Sequence, residues 1–186
     1  MRVVAGSARG LALTAPPGRT TRPTSDRVRE AVFNALHSLG VLQGARGLDC
    51  YAGSGALGIE ALSRGSAHVT FADTDAGARR AIEQNLAAAG VGERAAISAH
   101  PAERLLGEAA TAGRLFDLVW LDPPYDFAVW PALVIAVSAV VTPDAVVVME
   151  SDHAVDVASE TGLEITRSRR YGSTVVTFAR PPGVDS

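Results

Sequence analysis

From Arg46 onward, short apolar runs alternate with segments whose apolar residues recur every three or four positions. The runs 46–50, 67–72, 94–99 and 116–121 fit buried strands, and 55–64, 75–89 and 101–109 fit amphipathic helices. This alternation predicts an α/β fold with a mostly parallel sheet covered by helices on both faces. Beyond it, 128–137 reads as a helix and 145–149 as a buried strand, with 163–166 and 172–179 as a closing hairpin. Upstream, extended runs 2–5 and 11–13 flank Gly6-Ser7-Ala8-Arg9-Gly10, a hairpin pattern with Arg9 near its tip. Pro16-Pro17-Gly18 breaks that pattern and residues 19–23 form a connector. Thr24 or Ser25 then caps a helix with Val28, Val32, Phe33, Leu36 and Leu39 on its apolar side, ending at Gly40. The expected organisation is an N-terminal hairpin arm, 1–23, on one Rossmann-like domain, 24–186.

Ligands of parallel sheets bind beyond the carboxyl ends of the strands. Asp49, Asp73, His100 and Asp122 all fall at such ends, so four strand tips are expected to line one crevice. The stretch Leu48-Asp49-Cys50-Tyr51-Ala52-Gly53-Ser54-Gly55-Ala56-Leu57-Gly58 reads as strand end, glycine turn and helix start, and its glycines satisfy G-x-G-x-x-G. Asp73 follows Gly53 by 20 residues, where an acid can grip a ribose diol. Asp49 separates the possible ligands. Its carboxylate would repel a pyrophosphate settling over the turn, but would pair with the α-ammonium of a methionine moiety. S-adenosylmethionine, with a ribose, an ammonium and no phosphate, is therefore favoured over NAD. The plainer readings are a helix cap for Asp49 and an ordinary strand-end acid for Asp73.

The run Phe116–Leu121 leads straight into Asp122-Pro123-Pro124-Tyr125. Two prolines fix their own φ angles and remove two donors, so the turn is stiff and its carbonyls are available to accept. The Asp122 carboxylate and the Pro123 carbonyl make a two-acceptor clamp suited to an NH2 group, and the Tyr125 face can stack on the ring carrying it. This combination points to a nucleobase with an exocyclic amine. The alternative is a strand-ending turn with a solvated aspartate.

Composition narrows the class. At 186 residues, 47% hydrophobic and 20% charged, the chain is expected to form one globular domain. No apolar run reaches membrane-spanning length and the start lacks a signal-peptide core, so the expected location is cytoplasmic. Cys50 is the only cysteine and no Cys/His cluster has metal spacing, which excludes an internal disulfide and predicts no metal. His37, His68 and His153 show no partner pattern. All 17 basic residues are arginines. Residues 1–29 hold six of them against Asp26, a net +5, which leaves −8 on the remainder of a chain of net charge −3. A basic arm on an acidic body predicts local contact with a shaped polyanion. Arginine also suits phosphate, to which it donates two parallel hydrogen bonds. The candidates are Arg2, Arg9, Arg19 and Arg22, with Arg27 and Arg29 on the helix free to pack or pair instead. Arg167, Arg169, Arg170 and Tyr171 form a second basic-aromatic cluster, readable as an RNA guide or as a solvated loop.

With these residues in view, the chain resembles a class I methyltransferase, and more narrowly the RsmD family of 16S ribosomal RNA guanine-N2 methyltransferases. The resemblance runs through Arg2-Val3-Val4-Ala5-Gly6, Arg9-Gly10 and Thr21-Arg22-Pro23-Thr24-Ser25-Asp26-Arg27-Val28-Arg29-Glu30-Ala31. It continues through the Asp49–Gly58 loop and Asp122–Tyr125 to Tyr171-Gly172-Ser173-Thr174. The glycine loop marks the superfamily and D-P-P-Y marks amino-group methylation; the arm and R-P-T-S-D-R-V-R-E are far more specific. The resemblance implies a seven-stranded sheet with a hairpin extension, S-adenosylmethionine as donor and 16S rRNA as substrate, with an assembled small ribosomal subunit weakly indicated. It implies catalytic roles for Asp122, Pro123 and Tyr125. Cofactor contacts are implied for Asp49, Tyr51, Gly53, Ser54, Gly55, Asp73, His100 and Asp122, and RNA contacts for Arg2, Arg9, Arg19, Arg22 and Tyr171. No oligomer is required. One departure stands out: many relatives carry an acid and then a backbone N–H at the third strand tip, where this chain has His100 and Pro101. His100 can accept through a neutral ring nitrogen, or simply begin a helix. The rival readings are an adenine-N6 methyltransferase, a glutamine methyltransferase, a catalytically silent RNA-binding assembly factor and, more remotely, an NAD oxidoreductase.

Overall fold

The computed structural model describes residues 1–16, 26–124, 127–155 and 161–183. Seven strands form one sheet: β1 (Arg46–Cys50), β2 (His68–Ala72), β3 (Ala95–Ser98), β4 (Phe116–Leu121), β5 (Val141–Ser151), β6 (Glu164–Tyr171) and β7 (Thr174–Arg180). Their order is β3-β2-β1-β4-β5-β7-β6. The first five run parallel, while β7 is antiparallel to both β5 and β6. The helices are α1 (Asp26–Ser38), α2 (Ala56–Ser63), α3 (Ala76–Ala89), α4 (Ala102–Thr111) and α5 (Trp130–Ser138). This is the expected fold class, with the central parallel strands β1, β2 and β4 largely buried and the edge strand β3 partly exposed.

Two cores flank the sheet. One packs α1, α2 and α3 through Phe33, Leu36, Ile59, Leu62 and Ile82 onto Phe71, Leu118, Trp120 and Val148. The other packs α4 and α5 through Leu105, Leu106, Leu133 and Val134 onto Leu48, Val119, Leu121 and Val147. Trp120, fully buried, stacks on Phe33 with ring centroids 5.9 Å apart. Gly47 makes room for it, because a Cβ there would stand 2.8 Å from the indole.

Three elements differ from expectation. Strand β6 runs on to Tyr171, taking in the basic cluster that the sequence left outside a strand. All of its residues before Tyr171 are exposed, so no apolar alternation announces it. Strand β5 starts at Val141, four residues early, and α5 starts at Trp130 with Pro131 in its first turn, where a missing N–H costs nothing. The capping Thr24 or Ser25 of α1 lies outside the described residues.

The described part of the arm lies flat on the body. An antiparallel bridge pairs Arg2 with Ala12, and Val3 and Leu13 join the core beneath α1. The turn at Gly6 has φ +86°, and a Cβ there would fall 1.9 Å from the Ser63 carbonyl oxygen. Glycine is therefore required on both counts. Asn85 of α3 holds the far end: its amide donates to the Thr14 carbonyl at 2.9 Å and accepts the Thr14 N–H at 2.8 Å. Residues 17–23 of the expected arm lie outside the described residues.

Candidate active site

The chain order changes direction between β1 and β4, a switch point that opens a crevice at the strands' carboxyl ends. Register places the tips level: Cys50 pairs with Ala72 on one side and Leu121 on the other, and Leu121 with Met149. Asp73, Tyr51, Asp122 and Glu150 therefore occupy the next position along four neighbouring strands. Glu150 was missed by the sequence reading, although it ends an apolar run just as Asp122 does. It is buried, at 7% exposure, beside a half-buried Asp122.

Between β1 and α2 the backbone turns through left-handed positions at Tyr51 (φ 60°), Gly53 (φ 56°) and Gly55 (φ 75°). Tyr51 is the only non-glycine residue with positive φ among the described residues, an unusual state for a bulky side chain. It is held there from both ends of the side chain: its hydroxyl donates to Glu103 Oε1 at 3.1 Å, and its ring meets Phe127 edge-on at 5.9 Å. Phe127 in turn meets Trp130 at 5.5 Å. The Phe127 N–H donates to the Pro124 carbonyl at 2.9 Å, which ties Phe127 to the proline tip. Phe127 was also missed; an aromatic three residues after Pro124 was the available signal. Burial and the Glu103 carboxylate push the Tyr51 phenol pKa up.

The glycines have separate tasks. A Cβ on Gly53 would meet nothing nearer than the Tyr51 carbonyl at 4.0 Å, so the turn is open above it. A Cβ on Gly58 would press to 2.3 Å from the Phe71 ring, so this glycine lets α2 lie close on β2. Asn85 Nδ2 donates to the Ser54 carbonyl at 2.9 Å and fixes the turn from α3.

Two carboxylates support that turn. Asp73 Oδ2 accepts the Gly53 N–H at 2.9 Å and Oδ1 accepts the Asp75 N–H at 2.9 Å. Asp49 Oδ2 accepts the Gly58 N–H at 2.9 Å, supplying from β1 the cap that Gly55 cannot give α2. The capping role of Asp49 is thus present in the geometry. Burial pushes its carboxyl from an ordinary 3.8 up to about 8, with the Gly58 N–H opposing and the Asp73 charge adding. Among the described residues no cation stands beside this buried acid. Cys50 below it is buried and its thiol is likewise pushed up by desolvation.

The remaining sequence-chosen residues divide. Pro123 is buried and Pro124 exposed at the tip of β4, while Tyr125 lies outside the described residues. His100 stands at the tip of β3, where its N–H donates to Ser98 Oγ at 3.1 Å and its Nδ1 lies 3.2 Å from Glu108 Oε2. Ser54 is buried beside Met1, its Oγ 3.8 Å from the sulfur. Arg2 and Arg9 are exposed on the arm, with Arg2 Nη1 donating to the Gly10 carbonyl at 3.3 Å. Arg19 and Arg22 lie outside the described residues. Arg29 packs rather than projecting: it is fully buried, pairs with Asp26 at 2.8 Å and donates to the Arg2 carbonyl. Tyr171 ends β6, the outermost strand of the sheet, with the Arg169 guanidinium 5.3 Å over its ring. Among the described residues no cluster of three or more His, Cys, Asp or Glu could hold a metal, and no helix is long and apolar enough to cross a membrane.

Comparison with known proteins agrees with this geometry. Residues 1–180 match the family described as Conserved hypothetical protein 95. YlbH of Bacillus subtilis, provisionally named an rRNA methyltransferase, is 39% identical over 186 residues, covering 98% of this chain and all of that protein. Ribosomal RNA small subunit methyltransferase D of Escherichia coli K12 is 38% identical over 125 residues, 67% of this chain and 60% of that protein. The solved structure of yhhF from Escherichia coli, provisionally described as a methyltransferase, superposes with a TM-score of 0.84 at 30% identity, covering 98% of each chain. The chain belongs to the RsmD family of ribosomal RNA methyltransferases.

Proposed function

We propose that this protein transfers a methyl group from S-adenosylmethionine to the exocyclic N2 of a guanine in 16S ribosomal RNA, presented by the small subunit. The observation that carries the reading is the alignment of the Asp122-Pro123-Pro124 tip of β4 with Asp49 and Asp73 across the switch point. The residues at the glycine turn fit the donor. Asp49 is a buried carboxyl at the end of β1, Asp73 stands at the tip of β2 where an acid suits a ribose diol, and Gly53 leaves open space over the turn. Two of the side chains braced against the turn, Asp49 and Asp73, are acids, which suits an ammonium and a ribose and disfavours a pyrophosphate.

When bound, S-adenosylmethionine supplies an electrophilic methyl group on sulfur. The protein's part is placement. The guanine leaves its stack at a cost of a few kcal/mol, and stacking on Tyr125 returns about 1–3 kcal/mol. Asp122 and the Pro123 carbonyl accept the two N2 hydrogens and aim the nitrogen at the methyl carbon. Such acceptors favour a pyramidal nitrogen whose lone pair is less delocalised into the ring. With the donor bound, Asp122 or water would take the proton that the amine sheds on gaining the methyl group. Orientation of this kind is worth up to about 7–11 kcal/mol. His100 is assigned to the adenine edge of the donor, and Tyr51 and Ser54 to the walls of its pocket. Arg2, Arg9, Arg19, Arg22 and Tyr171 are assigned to RNA, where phosphate contacts set position rather than sequence.

Nucleoside mass spectrometry of ribosomal RNA from cells lacking this protein tests the reading. Loss of one N2-methylguanosine from 16S rRNA, restored by the wild-type gene, is the expected result. An unchanged N2-methylguanosine content with a lost N6-methyladenosine would move the target to adenine.

A further inference from the structure

A groove of about 480 Å³ lies between the outer side of α1 and the β6–β7 hairpin. Asn34, Ser38 and Leu39 line one wall; Arg167, Arg169 and Tyr171 line the other. Among the described residues no acidic side chain lines it. Register explains why two of the three β6 arginines enter. Arg167 pairs with Phe178 and Arg169 with Val176, both of which belong to the core on the α1 side of the sheet. Arg170 pairs with Val175 and instead donates to the Asp152 carbonyl at 3.2 Å. Arg167 and Arg169 have no acidic partner among the described residues. They stand two residues apart on one face, about 7 Å along the strand, a spacing on the scale of successive phosphates in a single strand.

The same register ties the groove to the crevice. Arg169 is level with Val176, Val176 with Glu150, and Glu150 with Asp122, because Met149 pairs with Leu121. Three strand spacings, about 14 Å, separate Arg169 from Asp122 across the carboxyl edge. We infer that this groove binds the single-stranded RNA flanking the target guanine, with Arg167 and Arg169 on its phosphates and Tyr171, braced by Arg169, offering a stacking surface. The inference rests on the function proposed above and names the surface that carries its substrate. Charge chooses the occupant: two guanidiniums with no acidic partner among the described residues, beside an aromatic ring, suit a polyanion with bases. An acidic body with local arginine clusters needs such a track to hold RNA at all.

The test compares wild type with Arg167→Gln/Arg169→Gln, and with Arg80→Gln/Arg114→Gln as an equal charge change on exposed arginines outside the groove. Binding to protein-free 16S rRNA is followed by fluorescence anisotropy across salt concentrations. Methyl transfer to that RNA and to small subunits from cells lacking the protein is followed with labelled donor, and donor binding by calorimetry. For the groove pair, RNA affinity is expected to fall roughly tenfold and the salt slope by about 1.4, two single-strand phosphate contacts. Donor affinity should hold, and the control pair should match wild type. Wild type active, with the groove pair equally active and binding RNA equally well, overturns the groove alone. Equal losses in both pairs overturn it as well, by assigning the effect to diffuse charge. A loss on particles with unchanged binding to bare RNA overturns it in favour of a ribosomal protein contact. Wild type that methylates neither substrate overturns the function proposed above, and the groove with it.

Discussion

Glu60 Oε2 accepts the Val4 N–H at 2.7 Å, so a fully buried carboxylate in α2 holds the arm by its backbone. Oε1 takes the Ala5 N–H at 3.0 Å and Arg64 Nε at 2.7 Å, and Arg29 Nε stands 3.8 Å from Oε2. A buried acid of this kind is tolerable only because every side of it is answered. Glu60→Ala would orphan two backbone donors and leave buried Arg29 with Asp26 as its one carboxylate partner among the described residues. The expected cost is about 3–5 kcal/mol, a fall in Tm of roughly 6–20 °C for a chain of this size, read by thermal unfolding. Glu60→Gln, which keeps one acceptor, should lose less.

Asp49 gives a pH dependence with a definite sign. In the unfolded chain its carboxyl ionises near 3.8, while in the folded protein burial holds the proton to about 8. Between those values the native state keeps a proton that the unfolded state has released, so its contribution to stability falls as pH rises. Asp49→Asn removes this titration and retains an acceptor for the Gly58 N–H. Without donor, the Asn variant should melt above wild type, with a gap that widens from pH 5 to 8 and then levels. S-adenosylmethionine affinity should do the opposite. Its ammonium favours the ionised acid, so wild-type affinity should rise over the same range while the Asn variant stays flat and weak, as calorimetry in two buffers would show.

Much of this was legible in the chain because the two strongest signals are physical necessities. Strands β1, β2 and β4 are buried on both faces, so they must be apolar runs, and their bounds are visible to within a residue. A glycine turn and a D-P-P tip are visible because few other residues adopt those backbones. The rest fails for equally physical reasons. Strand β6 is an exposed edge whose residues need not alternate, so its basic run passes for a loop. Glu60 reads as an ordinary helix acid; only the arm's return path makes it a clamp. Glu150 becomes part of the site through sheet register, which brings it beside a residue 28 positions earlier.

Gly58→Ala tests how closely α2 must approach β2. Its Cβ would lie 2.3 Å from the Phe71 ring, in a core with no flexible neighbour to yield. Overpacking of this order costs about 1–3 kcal/mol, a Tm loss of roughly 2–12 °C. Lifting α2 would also carry the Gly58 N–H away from Asp49, so donor affinity should fall together with stability. A variant that melts lower yet binds S-adenosylmethionine as wild type would separate the packing role of Gly58 from its role in holding the turn.

Asp122→Ala isolates the clamp from the donor site. The residue tips β4 beside Tyr51 and Glu150, whereas the glycine turn is braced by Asp49 and Asp73 on β1 and β2. Removing one of the two acceptors leaves the amine free to rotate about its bond to the ring, and misplacement on the ångström scale costs on the order of a hundredfold. The expected outcome is a kcat down by about that factor while S-adenosylmethionine still binds, its affinity falling far less than the rate. Asp122→Asn keeps one acceptor but adds a donor facing the amine, so it should recover only part of the rate. Single-turnover methylation under saturating RNA and donor measures the chemical step directly. Near-normal turnover in the alanine variant would remove Asp122 from the chemistry and leave the proline carbonyl as the group that orients the base.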